Sequence, residues 1–299
     1  MLTHQNWSAA GFNLPPISPL VGPFPDRTWL EVWWKHRGIG ELIVAETADS
    51  LLALTAHDDQ IRFAGEADLT DYHSPRGTAT ALTELVGDLK PGTAIRLDSL
   101  PEDSAAAVSS ALAKAGLQPA TEQHTVTAVL ELPTSFDEYL SQLGKKERHE
   151  LRRKRRKLDA EAGPARLERR SGPDAVALFA SLHRRSSGDK GTFMSTEMEQ
   201  FFLALHTDAH GVIDVLVDGT DRPAAAIFSF EDDHGFYLYN SAFEPDIRNL
   251  SPGNVILSHL IERSIESGKQ VFDFLKGDET YKFRLGATPR PLFVVTATT

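Results

Sequence analysis

Apolar and polar positions alternate with period two over residues 41–47, 50–57 and 60–65, which predicts three strands with Asp58-Asp59 as a hairpin break. Just upstream, Trp29, Leu30, Trp33 and Trp34 recur at helical spacing behind Asp26, a residue type favoured as N-cap. A loop at 68–73 leads to helical patterns at 79–89 and 102–115, with strand patterns at 94–98 and 125–132. The second half repeats this order. Ser135 and Glu138 form a capping-box pattern, and a helix over 145–162 sets Leu151 and Leu158 on one stripe with Leu143 before Gly163-Pro164 ends it. Helical patterns at 174–185 and 196–207 precede strand patterns at 212–217, 224–231 and 235–243. Ser251-Pro252 predicts a helix start, serine as N-cap and proline at the first helical position, running to 267. A strand at 270–275, a Gly-Asp-Glu turn and a strand at 292–297 complete the chain. This order predicts an α/β (α+β) fold of two units, each a mixed, mostly antiparallel sheet flanked by helices. Five prolines between 15 and 25 predict an extended surface arm over 1–25, and the remaining chain divides into 26–132 and 133–299.

Composition adds two constraints. With 299 residues, 41% hydrophobic and 24% charged, the chain can bury two cores and is not globally disordered. Its net charge of −11 is unevenly spread: residues 141–170 carry +7, so the remainder carries −18. Such asymmetry points to an anionic partner. The absence of cysteine excludes a thiolate nucleophile, a disulfide framework and Cys-ligated metal, and it fits a reducing cytoplasm. No basic start precedes an apolar run, and no apolar stretch nears the ~18–20 residues that span a bilayer. A cytoplasmic protein without a membrane span is expected, and eleven scattered histidines give no metal centre.

The common catalytic signatures are missing: no Gly-x-Ser-x-Gly, no phosphate loop ending Gly-Lys-Ser/Thr, no Gly-x-Gly-x-x-Gly and no His-Glu-x-x-His. Reactions driven by positioning, acid–base groups and electrostatics remain. Two passages stand out. In the first, a strand pattern with Tyr239 and Asn240 leads through Arg248 to Ser251, Pro252, Gly253 and Asn254, a helix start suited to phosphate. In the second, residues 271–286, the alternation breaks at Gly277 and charged residues crowd around Tyr281 and Phe283.

Together these passages resemble the CelD/FemAB-type branch of the GNAT acyltransferase superfamily, in its Phe272-Asp273-Phe274-x-x-Gly277-Asp278-Glu279-x-Tyr281-Lys282 run after a Ser-Pro-Gly helix start. The resemblance covers about residues 135–297. It implies two GNAT-like domains, with 26–132 a degenerate copy on the acceptor side and 133–299 the acyl-donor side. It implies acyl transfer from acetyl-CoA, acyl-CoA or acyl carrier protein to an amine in the cleft between the halves, without a covalent enzyme intermediate or a metal. Lys282 then stabilises donor phosphate or the developing oxyanion, and Tyr281 lines the pocket. Tyr239, Asn240, Arg248, Ser251, Gly253 and Asn254 bind the donor. The usual phosphate loop is not cleanly present in 248–254, however, and a Fem-like use of aminoacyl-tRNA is the nearest rival. A non-catalytic polyanion-binding protein is the rival of another class.

For several residues the sequence leaves two readings open. Asp278 and Glu279 serve either as general base or as a structural turn paired to Lys276 or Arg284. Asp71, Tyr72 and His73 either touch the acceptor or form a capped loop. The basic helix, with Arg152 and Arg153, either lines solvated faces or meets an external polyanion such as coenzyme A, acyl carrier protein or tRNA. Seven Lys/Arg within 148–157 face only Glu150, and that self-repulsion requires an offset. The acyl chain, the acceptor and the oligomeric state are not encoded in any motif.

Overall fold

The computed structural model describes residues 1–186 and 189–299. The chain divides into two compact units, Met1–Thr127 with Arg290–Thr299, and Ala128–Pro289. In chain order the first unit holds β1 (Leu2–His4), α1 (Arg27–Arg37), β2 (Glu41–Glu46), β3 (Ser50–His57), β4 (Gln60–Phe63), β5 (Arg76–Gly77), α2 (Thr80–Val86), β6 (Ala94–Leu100) and α3 (Glu102–Lys114). The strand β7 (Ala120–Glu131) carries the chain from this unit into the next. The second unit holds α4 (Phe136–Gln142), α5 (Lys145–Ala162), β8 (Arg166–Arg170), α6 (Pro173–Arg184), α7 (Asp189–Phe193), α8 (Thr196–Asp208), β9 (Val212–Val217), β10 (Pro223–Glu231) and β11 (Gly235–Phe243). It ends with α9 (Pro252–Glu266), β12 (Val271–Lys276) and α10 (Thr280–Arg284), after which β13 (Thr288–Thr298) returns to the first unit.

In the first unit the strand order is β1-β2-β3-β4-β6-β13, antiparallel throughout except for the parallel β4–β6 pair. The apolar sides of α2 and α3 cover it, with Leu82, Leu85, Val108 and Leu112 buried against Leu54, Ile95 and Leu97. The proline-rich stretch is anchored rather than lying on the surface. Val21 and Phe24 are buried, and Phe24 stands edge-on to Trp29 of α1 at 5.4 Å. Asp26 precedes α1 as expected, but its side chain makes no cap bond and accepts instead from Arg76 at 2.8 Å.

In the second unit the order is β7-β12-β11-β10-β9-β8. Period two sends Ala225 and Ile227 of β10, with Phe236 and Leu238 of β11, to one face, under α4, α5 and α9. Phe228 and Phe230 go to the other face, where Phe228 meets Phe179 of α6 and Phe202 of α8. The stripe read along the basic helix is real: Leu143, Leu151 and Leu158 are all buried in the core under α9. Each fully buried leucine contributes roughly 1.5–3 kcal/mol, which outweighs the few tenths lost per close like-charge pair on α5. Half of the capping box forms. Ser135 Oγ accepts from the Glu138 amide at 3.2 Å, while the Glu138 carboxylate caps Thr134. Periodicity gave no sign of β8, because its five residues include three arginines and a glutamate. Across the sheet Arg169 pairs with fully buried Asp214 of β9 and with Glu231, while Arg166 and Arg170 flank Glu168. No helix among the described residues is long and apolar enough to cross a membrane.

Candidate active site

The second unit opens where two parallel strands part. β11 and β12 pair at Gly235↔Val271, Phe236↔Phe272 and Tyr237↔Asp273, and the ladder ends there. β11 continues alongside β10 with a bulge: Phe228 faces Asn240 and Ser229 faces Leu238, which leaves Tyr239 without a cross-strand position. Such bulges bend a strand and re-aim its side chains. Tyr239 packs on Phe202 and Phe230, at 5.6 and 5.4 Å, and Asn240 Oδ1 lies 3.0 Å from His183 Nε2.

β12 stops in a sharp turn. Leu275 has φ 58° and Gly277 φ 112°, both in the left-handed region, and a side chain at 277 would collide with the Glu279 carboxylate. Lys282, on α10, closes this turn. Its Nζ donates to the carbonyl oxygens of Leu275 (3.2 Å), Lys276 (2.6 Å) and Gly277 (3.3 Å), and pairs with Glu279 at 2.9 Å. The residue is 2% exposed. An ammonium has three protons, and four oxygens of this turn already compete for them. The sequence reading placed Lys282 against the donor; its charge is instead consumed within the fold.

The start of α9 is also unlike its sequence reading. Ser251 adopts φ 57°, ψ 46°, and its side chain caps nothing. The left-handed turn carries its hydroxyl away from the first-turn amides. Its carbonyl accepts from Asn254 and Val255 at 3.0 and 3.2 Å, and Pro252 has no N–H. Gly253 therefore supplies the single unpartnered amide of the first turn among the described residues. This is a weaker anion cradle than a helix start normally offers.

A cavity of about 300 Å³ lies beside that helix start, wholly within the second unit. One wall is a face of α5 formed by Lys146, Glu147, Glu150, Leu151 and Lys154; the other is Asn254 with Tyr281, Arg284 and Leu285. Three cations thus meet two carboxylates, and Glu150 is already engaged with Arg153 at 2.9 Å. None of the three cations makes an ion pair among the described residues. Burial holds Lys154 below the ordinary lysine range; Glu150 opposes that shift, while Arg153 and Arg284 add to it. Burial pushes the Tyr281 phenol well above its ordinary value, with Glu279 adding to the shift, so it stays protonated at neutral pH. The cavity has the size and mixed lining of a small-ligand site.

The residues singled out in the sequence are therefore only partly gathered. Asn254 and Tyr281 share the cavity. Ser251 and Gly253 stand at the adjoining helix start, and Arg248 is exposed on the 3-10 segment Pro245–Leu250 before it. Arg152 and Arg153 are exposed on α5. Tyr239 and Asn240 turn toward α6 and α8 and do not line the cavity. Asp278 is exposed and Glu279 is tied to Lys282, so neither lines it. Asp71, Tyr72 and His73 belong to the first unit. Tyr72 is fully buried, its hydroxyl 2.6 Å from Thr127 Oγ1 and its ring under the Arg290 guanidinium, which makes it core rather than substrate contact. His73 is buried with Nδ1 2.9 Å from the Asp98 carbonyl oxygen, and Asp71 is half-buried. Sequence reasoning missed Lys146, Glu147, Lys154 and Arg284. The i, i+4, i+8 spacing of 146, 150 and 154 beside Leu151 is the signal that finds the first wall. Among the described residues no group of three or more His, Asp or Glu is arranged to hold a metal ion.

Residues 145–283 match the family model of the acetyltransferase (GNAT) domain, a stretch running from the start of α5 into α10. The second unit has the GNAT acyltransferase fold. Whole-chain likeness extends it. A conserved protein of unknown function from Bacteroides thetaiotaomicron superposes with a TM-score of 0.66 at 10% identity, over 93% of this chain and 92% of that one. FemX superposes at 0.64 and 13% identity over 98% and 97%, and L-PGS from Bacillus licheniformis at 0.58 and 10% over 92% of each. The fold is thus a tandem, GNAT-like arrangement of α/β units. No curated protein matches the sequence.

Proposed function

We propose that the protein is an acyltransferase that moves an acyl group from a thioester, acyl-CoA or acyl carrier protein, to an acceptor amine by direct attack. The observation that carries this reading is the cation-rich cavity at the start of α9. Lys146, Lys154 and Arg284, with the Gly253 amide, hold the donor's phosphates. The amine nitrogen adds to the thioester carbonyl. The C–N bond forms, the C–S bond breaks, and the sulfur leaves as a thiolate that takes up a proton. Tyr281, protonated and at the cavity, is the group that donates this proton. Glu147 accepts the proton the attacking ammonium must first lose, and the second proton, shed by the nitrogen as the adduct collapses to the amide, restores the Tyr281 phenol. Asn254 orients the donor, and Lys282 is a positioning residue that fixes the turn carrying Tyr281.

The test is amine-dependent thiol release from acetyl-CoA, longer acyl-CoAs and acyl carrier protein, with aminoacyl-tRNA as an ester arm. Release from a thioester supports the proposal. Transfer from aminoacyl-tRNA alone would replace the thioester by an ester donor. Tight, salt-sensitive binding of generic RNA without any turnover would replace the enzyme by a binding protein.

A further inference from the structure

Several cations of α5 are engaged within the unit: Arg155 with Glu262 at 2.6 Å and over the Phe136 ring, Lys157 with the Asn249 carbonyl oxygen at 3.0 Å, Arg148 with the Leu140 carbonyl oxygen at 3.2 Å, and Arg153 with Glu150 at 2.9 Å. Lys145, His149, Arg152 and Arg156 are all exposed, and none forms an ion pair among the described residues. Their spacing of four, three and four residues places them in one file along the helix, about 16 Å long. A hollow of about 970 Å³ runs beside this file, lined by all four, by Lys146 and Glu150, and by the engaged Arg148 and Arg155. Lys146 and Glu150 also line the 300 Å³ cavity, so the file leads into it.

Three cations of this file, Lys145, Arg152 and Arg156, have no ion-pair partner among the described residues; such a row costs stability unless something outside the chain meets it, and in a protein of net charge −11 the placement is selective. We propose that this face of α5 docks an acidic helix of a carrier protein that delivers the acyl group into the adjoining cavity. This deepens the acyltransferase reading and rests on it. Three features favour an acidic helix over nucleic acid. α5 has no Phe, Tyr or Trp on which a base could stack. The file is single and straight, the width of a helix–helix contact. The strong negative charge of the remaining chain repels a phosphate backbone, while a partner whose charge is confined to one helix escapes that repulsion.

Fluorescence anisotropy with a labelled bacterial holo-acyl carrier protein, titrated with the full chain, tests this. Binding is expected to weaken at least tenfold between about 50 and 250 mM salt. It is expected to be lost in the double variant Lys145→Glu/Arg156→Glu, whose sites lie outside the cavity. The same variant should keep wild-type turnover of acyl-CoA, while turnover of the carrier-bound acyl group falls at least tenfold. Undiminished carrier binding by the variant would overturn the proposal, as would equal loss with both donors. Tight binding of a generic RNA with none of the carrier protein would overturn it in favour of nucleic acid. Carrier binding that depends on the file, with no transfer from any donor, would instead sink the acyltransferase reading and leave the docking surface standing.

Discussion

Two lysines at the head of the second unit show how differently the same side chain is used. Lys282 sits in the most conspicuous motif of the sequence, is 2% exposed, and gives its protons to three carbonyl oxygens and Glu279. Lys154 sits in an undistinguished basic run, is half-buried, makes no ion pair, and is held below the ordinary lysine range by burial. A cation surrounded by fixed oxygens organises the chain that supplies them. A cation desolvated without compensation is ready for a charge from outside. The motif's lysine therefore braces the turn, and on the proposed function the donor meets the helix facing it.

The largest effect should follow from removing the scaffold cation. Lys282→Ala leaves three turn carbonyls without a donor and Glu279 without its partner. A loss of about 2–4 kcal/mol in unfolding free energy is expected, read by chemical denaturation, with transfer failing as the turn relaxes. Glu279 is largely exposed, so most of that loss comes from the carbonyls rather than from the ion pair. Full stability combined with abolished transfer would break the comparison and return Lys282 to direct contact with the donor.

Tyr281→Phe comes next. The phenol has no hydrogen-bond partner among the described residues, so its loss should cost no measurable stability. The rate constant kcat should fall about ten- to a hundredfold with KM nearly unchanged, the size expected for one proton donor. An unchanged kcat would mean that Tyr281 only packs.

These two neighbours also show what the sequence reveals and what it hides. Elements with strong periodicity are legible to within a residue or two: the basic helix and the strands β9 and β11 lie where their patterns place them. β8 is hidden because it is mostly charged, and Arg169 is held by ion pairs to buried Asp214 and to Glu231, a tertiary compensation that no local pattern records. α10 is hidden because five residues cannot establish a helical period. Ser251 has the composition of a cap, but its left-handed backbone was not readable from residue types. At the site, a motif reports which residues occur together and not which way each points. Tyr281 and Lys282 are adjacent in sequence, yet one lines the cavity and the other is enclosed in the turn.

Lys154→Ala tests the other half of the comparison. Removing a desolvated cation beside Arg153 and Arg284 should leave stability unchanged or slightly higher, the opposite of Lys282→Ala. The donor KM should rise about tenfold, equivalent to about 1.4 kcal/mol of lost phosphate contact. An unchanged KM would empty the cavity of its proposed role.

The smallest effect concerns His259 of α9, which faces Arg155 and Asp159 of α5 and Glu262 of its own helix. Burial holds its pKa below the ordinary histidine value; Arg155 lowers it further, while Glu262 and Asp159 pull the other way. Like Lys154, it is a base whose charged form the fold disfavours. The unfolded chain thus binds its proton more readily than the folded one, so between the folded and the ordinary pKa stability rises with pH. The penalty is complete below the folded value and gone above the ordinary one. NMR titration should place the His259 midpoint below the ordinary histidine value. His259→Gln should flatten the acid side of the stability profile, by about a tenfold change in the folding constant for each pKa unit of displacement. A midpoint at or above the ordinary histidine value would show that Glu262 and Asp159 outweigh burial, and that the α5–α9 contact tolerates another positive charge. The contrast between spent and desolvated cations would then be confined to Lys154.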